Sequence, residues 1–165
     1  MFQDIIKQND VISIWGPSGS GKSIAIKELY LKYKKKSYFL NNFKNLDKIC
    51  NNKKIEMIFI DDILIYLSNK KKQDIISKML KSKKKIIFTT SNPEELLFAT
   101  YIYILNNCEI VIDGSLIEVL RNEKIIKSLG LRNPFIIDLS IQLNHYNLIN
   151  RLYLNEKELI DEIWK

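Results

Sequence analysis

Val11-Ile12-Ser13-Ile14-Trp15-Gly16-Pro17-Ser18-Gly19-Ser20-Gly21-Lys22-Ser23 passes from an apolar run through glycines into Lys-Ser at the mouth of a helical pattern. Its fixed positions satisfy G-x-x-x-x-G-K-[ST], a loop whose backbone N–H groups turn inward around phosphate. Glycine permits the backbone angles this needs, and the helix beginning near Lys22 adds its positive end. The reading assigns Gly16, Pro17, Ser18, Gly19, Ser20, Gly21, Lys22 and Ser23 to a nucleotide's phosphates. Lys22 reaches the β and γ phosphates and Ser23 ligates Mg²⁺.

A phosphate loop calls for an acidic partner at the end of a neighbouring strand. Ile55-Glu56-Met57-Ile58-Phe59-Ile60-Asp61-Asp62 supplies it, an apolar strand closing in two carboxylates. In a parallel sheet such an acid faces the nucleotide crevice, so Asp61 is expected in the Mg²⁺ shell and Asp62 is the candidate to orient an attacking water. A third strand, from Lys85, ends in Thr89-Thr90-Ser91-Asn92. These small polar residues are placed either to sense a γ-phosphate or to cap the next helix through Ser91 or Asn92.

The length of 165 residues suits one domain with a real core. No apolar run approaches a membrane span and no secretory signal is evident, so the expected chain is soluble or peripheral and cytoplasmic. Cys50 and Cys108 lack metal-ligand spacing and read as reduced thiols, and the single His145 reads as a surface or core residue. The net charge of +7 is concentrated in Lys34-Lys35-Lys36, Lys70-Lys71-Lys72 and Lys83-Lys84-Lys85. These runs read first as solvated loops and helix ends, with an acidic lipid surface or nucleic acid as the alternatives.

Around these landmarks, residues 1–10 lead into the first strand and a helix runs from the loop to about Tyr33. Ser37–Leu40 is a short strand, Leu46–Cys50 a short helix and Gln73–Lys81 a longer one. A helix is expected from Pro93 to about Thr100. Two strands then flank Asn106-Asn107, and Asp113-Gly114 turns the chain into a helix capped by Ser115. Glu123–Leu129 ends at Gly130, and three helical segments follow, over 135–143, 148–154 and 155–164. The pattern predicts an α/β phosphate-loop fold: a parallel sheet flanked by helices, with a β-hairpin and a C-terminal helical tail. Residues 1–132 form the expected nucleotide-binding core, and 133–165 a tail within the same domain or a docking extension.

At the hairpin and tail the chain resembles ATP-binding cassette (ABC) ATPases, closest to the ATPase subunits of energy-coupling factor transporters. Ile102-Tyr103-Ile104-Leu105-Asn106-Asn107-Cys108-Glu109-Ile110-Val111-Ile112-Asp113-Gly114-Ser115-Leu116-Ile117-Glu118-Val119-Leu120 is similar to that family's hairpin and following helix. Leu129-Gly130-Leu131-Arg132-Asn133-Pro134-Phe135 and Leu154–Ile163 resemble its tail. The 39 residues from Lys22 to Asp61 leave no room for the helical subdomain and its signature motif, so the resemblance is to a reduced form. Asp62 stands where the family has its catalytic glutamate, Ser68 its aspartate-loop Asp and Ser91 its switch histidine. No aromatic adenine platform precedes the first strand at the usual distance.

The resemblance implies an ATP- and Mg²⁺-binding protein with weak or partner-dependent hydrolysis, Asp62 and Ser91 being the candidate catalytic residues. It also implies partners, another ABC ATPase subunit and a transmembrane component, and a place on the cytoplasmic face of the membrane. The short spacing, Asp61-Asp62 and Thr90-Ser91-Asn92 together also resemble the AAA+ ATPases of replication initiators and helicase loaders, where an Asn at the place of Asn92 senses the γ-phosphate. A nucleotide-binding regulator without turnover fits either fold.

Overall fold

The computed structural model describes residues 10–164; the lead-in over 1–9, with the place of any adenine platform, and Lys165 lie outside the described residues. A sheet of order β2-β3-β4-β1-β5-β6 forms the middle layer. Its strands are β1 (Val11–Trp15), β2 (Ser37–Leu40), β3 (Met57–Asp61), β4 (Lys85–Thr90), β5 (Tyr101–Asn106) and β6 (Glu109–Ser115). Neighbours are parallel from β2 to β5, and β6 returns antiparallel to β5. Every residue of β1 is buried, as a central parallel strand covered on both faces requires.

Helix α1 (Lys22–Tyr33) covers one face, packing Ile26 and Leu29 against Ile12, Ile14, Phe59 and Ile87. The other face carries α2 (Leu46–Asn51), α3 (Asn69–Lys81), α4 (Leu116–Leu120) and α5 (Glu123–Ser128), then α6 (Phe135–His145) and α7 (Glu156–Ile163). The tail shares this second core: Ile136, Ile137, Ile149, Tyr153 and Leu159 are buried in one cluster with Ile58, Ile86 and Ile102. Its outer side stays exposed at Phe135, Ile160, Ile163 and Trp164.

Several sequence expectations need correction. The segment after Pro93 is a 3₁₀ helix over Pro93–Phe98, because Thr100 N–H is already bonded to Val11 O in the sheet and leaves no room for a longer turn. Asp113-Gly114 continues β6, pairing with Tyr103 and Ile102, and only Ser115 starts the helix, through a capping box with Glu118. The tight turn of the hairpin is Asn107-Cys108, both at positive φ (49° and 64°), between the paired Asn106 and Glu109. Helix α3 begins at Asn69, four residues before Gln73.

Residues 148–154 are not helical. Asn147 at φ 57° ends α6, and Asn144 Nδ2 donating to Ile149 O and Tyr153 N–H donating to Ser140 Oγ hold the chain in turns. Nor are the lysine runs wholly solvated, since Lys72 and Lys84 are 3% and 6% exposed. Cys50 is a buried and Cys108 an exposed free thiol. His145 is exposed at the end of α6.

Candidate functional site

The C-terminal ends of β1, β3 and β4 open onto a cleft of about 320 Å³ lined by residues 18–24, Asp62, Thr89 and Ser91. Two of the larger cavities, lined by the 3₁₀ helix and the tail, contain none of the loop residues.

The loop between β1 and α1 is held tightly. A Cβ on Gly16 would overlap the Leu105 carbonyl oxygen, and one on Gly21 would stand 2.6 Å from Cys108 Sγ, so the β5–β6 hairpin packs directly on the loop. Ser20 O accepts from Cys108 N–H at 2.9 Å, fastening the hairpin turn to it. Gly21, at φ 95°, precedes α1, and no side chain caps that helix. The helix N-terminus therefore presents its first N–H groups to the cleft, the arrangement that suits an anion.

Lys22 folds back over the loop, its Nζ donating to Gly16 O and Pro17 O, each at 2.8 Å. Burial pushes its pKa down, and Asp62 and then Asp61 pull it part of the way back. Ser23 Oγ donates to Asp61 Oδ1 at 3.0 Å, and Thr89 Oγ1 donates to the same oxygen at 2.8 Å. The two groups expected to hold a metal are thus brought together across 38 residues of chain.

Their spacing fits Mg²⁺, because cis ligands of an octahedral ion bound at 2.0–2.1 Å lie about 3 Å apart. A single carboxylate and a hydroxyl also match an ion that takes most of its remaining ligands from phosphate and water. Among the described residues, no group of three or more His, Cys, Asp or Glu side chains could hold a metal by itself.

Asp62 leaves the end of β3 at φ 53°, a left-handed angle that a non-glycine residue adopts at some cost, and one it shares with functional sites elsewhere. Its Oδ1 is buried without a hydrogen-bond partner, as is Ser20 Oγ, and both residues line the cleft. Burial raises the Asp62 pKa above 3.8; Lys22 opposes the rise, and Glu95 and Asp61 add to it. A buried carboxylate oxygen with no partner costs free energy unless something else meets it. A water or a phosphate-bound group in the cleft would do so.

At the end of β4 the two alternatives are divided between neighbours. Ser91 is exposed and lines the cleft, whereas Asn92 accepts from Glu94 N–H at 3.1 Å and caps the 3₁₀ helix. Asn92 thus spends its Oδ1 on the cap and is not among the residues lining the cleft. Ser68, at the aspartate-loop position, is the N-cap residue of α3.

The turn between them rests on a feature the sequence reading missed. Lys72 Nζ and Glu95 Oε1 form a buried ion pair at 2.6 Å, and Glu95 Oε2 accepts from Thr90 Oγ1 at 2.7 Å. Thr90 Oγ1 in turn accepts from Asn92 N–H at 2.9 Å. Helical spacing from Asn69 would have placed Lys72 on the buried side with Ile76 and Met79, which is the one sequence signal for it.

Parts of the sequence and the fold have counterparts among known proteins. Over 110 residues the chain is 28% identical to the energy-coupling factor transporter ATP-binding protein EcfA1 of Mycoplasmoides gallisepticum, covering 65% of the chain and 39% of the relative. It is 32% identical over 81 residues to the protein of that name from Listeria innocua, covering 48% and 29% respectively. The chain thus spans two fifths or less of these relatives' length. Among solved structures, cbiO1 from Clostridium perfringens, part of the ABC transporter complex cbiONQ, superposes with a TM-score of 0.53 at 12% identity, over 85% of this chain and 88% of that one. A bacterial Atm1-family ABC exporter with ATP bound gives 0.54 at 14% identity, over 73% and 36%.

The fold is therefore that of the ABC-type phosphate-loop domains, in a reduced form in which a 3₁₀ turn, β2 and α2 are all that separate α1 from β3. The family model that covers most of the chain, residues 2–147, is Novel STAND NTPase 3 (nSTAND3), and the chain belongs to that family of NTPases.

Proposed function

We propose that the chain binds Mg-ATP or Mg-ADP at Gly16–Ser23 with Asp61, and hydrolyses ATP slowly or only with a partner. The observation that carries this reading is the 3.0 Å contact between Ser23 Oγ and Asp61 Oδ1 beside a glycine loop over which Lys22 folds back. Loop N–H groups and the N-terminus of α1 would hold the phosphates, and Lys22 would exchange its two carbonyl partners for phosphate oxygens. Mg²⁺, when bound, neutralises charge developing on the transferred phosphoryl group. Asp62 would accept a hydrogen bond from the attacking water, and Ser91 would donate to the γ-phosphate.

Slow turnover follows from the residues themselves. Asp62 is a methylene shorter than glutamate, and a serine hydroxyl at Ser91 brings no positive charge. A poorly placed base costs roughly 10²–10⁴ in rate. The similarity to energy-coupling factor subunits supports a role beside another ABC ATPase and a transmembrane component at the cytoplasmic membrane face. No helix among the described residues is long and apolar enough to cross a membrane itself. The exposed Ile160, Ile163 and Trp164 on the tail are the surface proposed to meet that partner.

Calorimetric titration of the wild type and Lys22→Ala with Mg-ATP tests the binding. Equal affinity in the two would refute it. Affinity capture from the native cell with ATP and Mg²⁺, repeated with Ile160→Ser and Trp164→Ser, tests the partner reading. Recovery of an ABC ATPase or its membrane component by the wild type alone is expected; recovery of replication proteins would favour the AAA+ alternative.

A further inference from the structure

Two of the three lysine runs, with Lys53-Lys54, converge at the pole of the sheet opposite the nucleotide cleft, whereas Lys70-Lys71-Lys72 opens α3 at the other end. Lys34–Lys36 lead into β2, residues 53–56 into β3, and Lys83 into β4; these strands are parallel neighbours, so their starts share one edge. Backbone bonds join the three segments: Glu56 N–H donates to Lys36 O at 2.7 Å and Lys85 N–H to Glu56 O at 2.9 Å. Lys84 Nζ, donating to Asn52 O at 2.8 Å and Ile55 O at 2.5 Å, locks the turn before β3 onto the start of β4.

Lys34, Lys35, Lys36, Lys53, Lys54 and Lys83 are all exposed on this edge. Among the described residues, the acids that face them are few. Glu56 is paired with Lys36, Asp47 on α2 with Lys78 on α3, and Asp10 stands at the start of β1. Six exposed lysines on this edge thus stand against three acids, two of them already paired, so the charge there is positive.

Exposed apolar side chains flank this cluster. Leu31 (64% exposed) and Leu80 (38%) lie in the last turns of α1 and α3, which both run back to this pole, and Tyr38 (38%) lies on the edge strand β2. A nucleic-acid backbone would satisfy the lysines and leave the leucines in water. An anionic bilayer satisfies both, with headgroup charge over shallow hydrocarbon. We propose that the N-terminal pole of the sheet is a docking surface for an anionic lipid membrane. This does not depend on nucleotide binding, since none of these residues lines the cleft.

Co-sedimentation with vesicles tests it. The full chain should bind vesicles of phosphatidylcholine mixed with phosphatidylglycerol, weaken as salt is raised, and leave pure phosphatidylcholine unbound. The variant Lys34→Glu/Lys35→Glu/Lys53→Glu/Lys54→Glu should lose at least ~100-fold in partitioning, at about fivefold for each lysine near the surface. Its circular dichroism melt and Mg-ATP affinity should match the wild type, and the milder glutamine set should fall between the two. Leu31→Ser with Leu80→Ser should weaken binding most at high salt. Undiminished vesicle binding by either lysine set, equal binding to neutral vesicles, or tighter binding to duplex DNA than to vesicles at the same salt would overturn the proposal.

Discussion

Lys72 of α3 and Glu95 of the 3₁₀ helix form a 2.6 Å ion pair whose side chains are only 4% and 1% exposed, and the second carboxylate oxygen of Glu95 holds Thr90. The pair joins the helix after the Asp61-Asp62 strand to the turn that sets Ser91 at the cleft. Removing one partner leaves a buried charge, which costs about 3–5 kcal/mol. Lys72→Met and Glu95→Gln should each destabilise the fold in urea denaturation, and the double variant should lose clearly less than the two together. Additive losses would show that the charges act separately.

Lys22→Ala should abolish calorimetric Mg-ATP binding while leaving the thermal melt nearly unchanged. The Lys22 amine donates to Gly16 O and Pro17 O of its own loop, so the fold loses two exchangeable hydrogen bonds, while the nucleotide loses its central charge.

Asp62 connects activity with pH. Its folded pKa is raised above 3.8, so the proton is held more tightly in the folded state; its contribution favours folding at low pH and is lost as pH rises from 3.8 through the folded value. Asp62→Asn keeps the shape, accepts the φ of 53° and removes the charge, so it should be more stable than wild type at neutral pH. It should also lose any hydrolysis, and wild-type turnover should fall on acidification at a pH above 3.8. Matched melts of the two proteins across pH, with phosphate release, check both signs.

Gly21→Ala should impair the loop without touching a charge. Its Cβ would stand 2.6 Å from Cys108 Sγ and 3.1 Å from Cys108 Cα, at a φ of 95°. Left-handed strain on a residue with a side chain costs of order 1–3 kcal/mol, and the hairpin turn must also shift. Weaker Mg-ATP binding together with a lower melting temperature is expected. Unchanged affinity would mean that the hairpin yields freely.

Deleting residues 133–165 should unfold or aggregate the chain, because Ile136, Ile137, Tyr153 and Leu159 are buried in the core beneath the sheet. Trp164→Ser, at a residue 83% exposed, should leave the melt unaltered.

The sequence by itself determined the phosphate loop, the strand ending in Asp61-Asp62, the parallel order of helix and strand and the antiparallel hairpin. Each of these is written in local terms: glycine spacing, apolar runs, turn residues and helical periodicity acting within one segment. Similarity to ATP-binding transporter subunits came separately, from the likeness of residues 102–120, 129–135 and 154–163 to segments of that family, whereas membership of the nSTAND3 family was not read from the sequence.

Tertiary structure decided what depends on residues distant in the chain. Ser91 and Asn92 have equal local claims to cap or to line, and only the hold of Glu95 on Thr90 separates them. Lys72 is like its exposed neighbours Lys70 and Lys71 until Glu95, 23 residues away, meets it inside the protein. The segment over 148–154 looks helical alone and is drawn into turns by Asn144 and Ser140. Burial and pairing with a remote partner can outweigh local propensity, and neither is visible until the strands have chosen their neighbours.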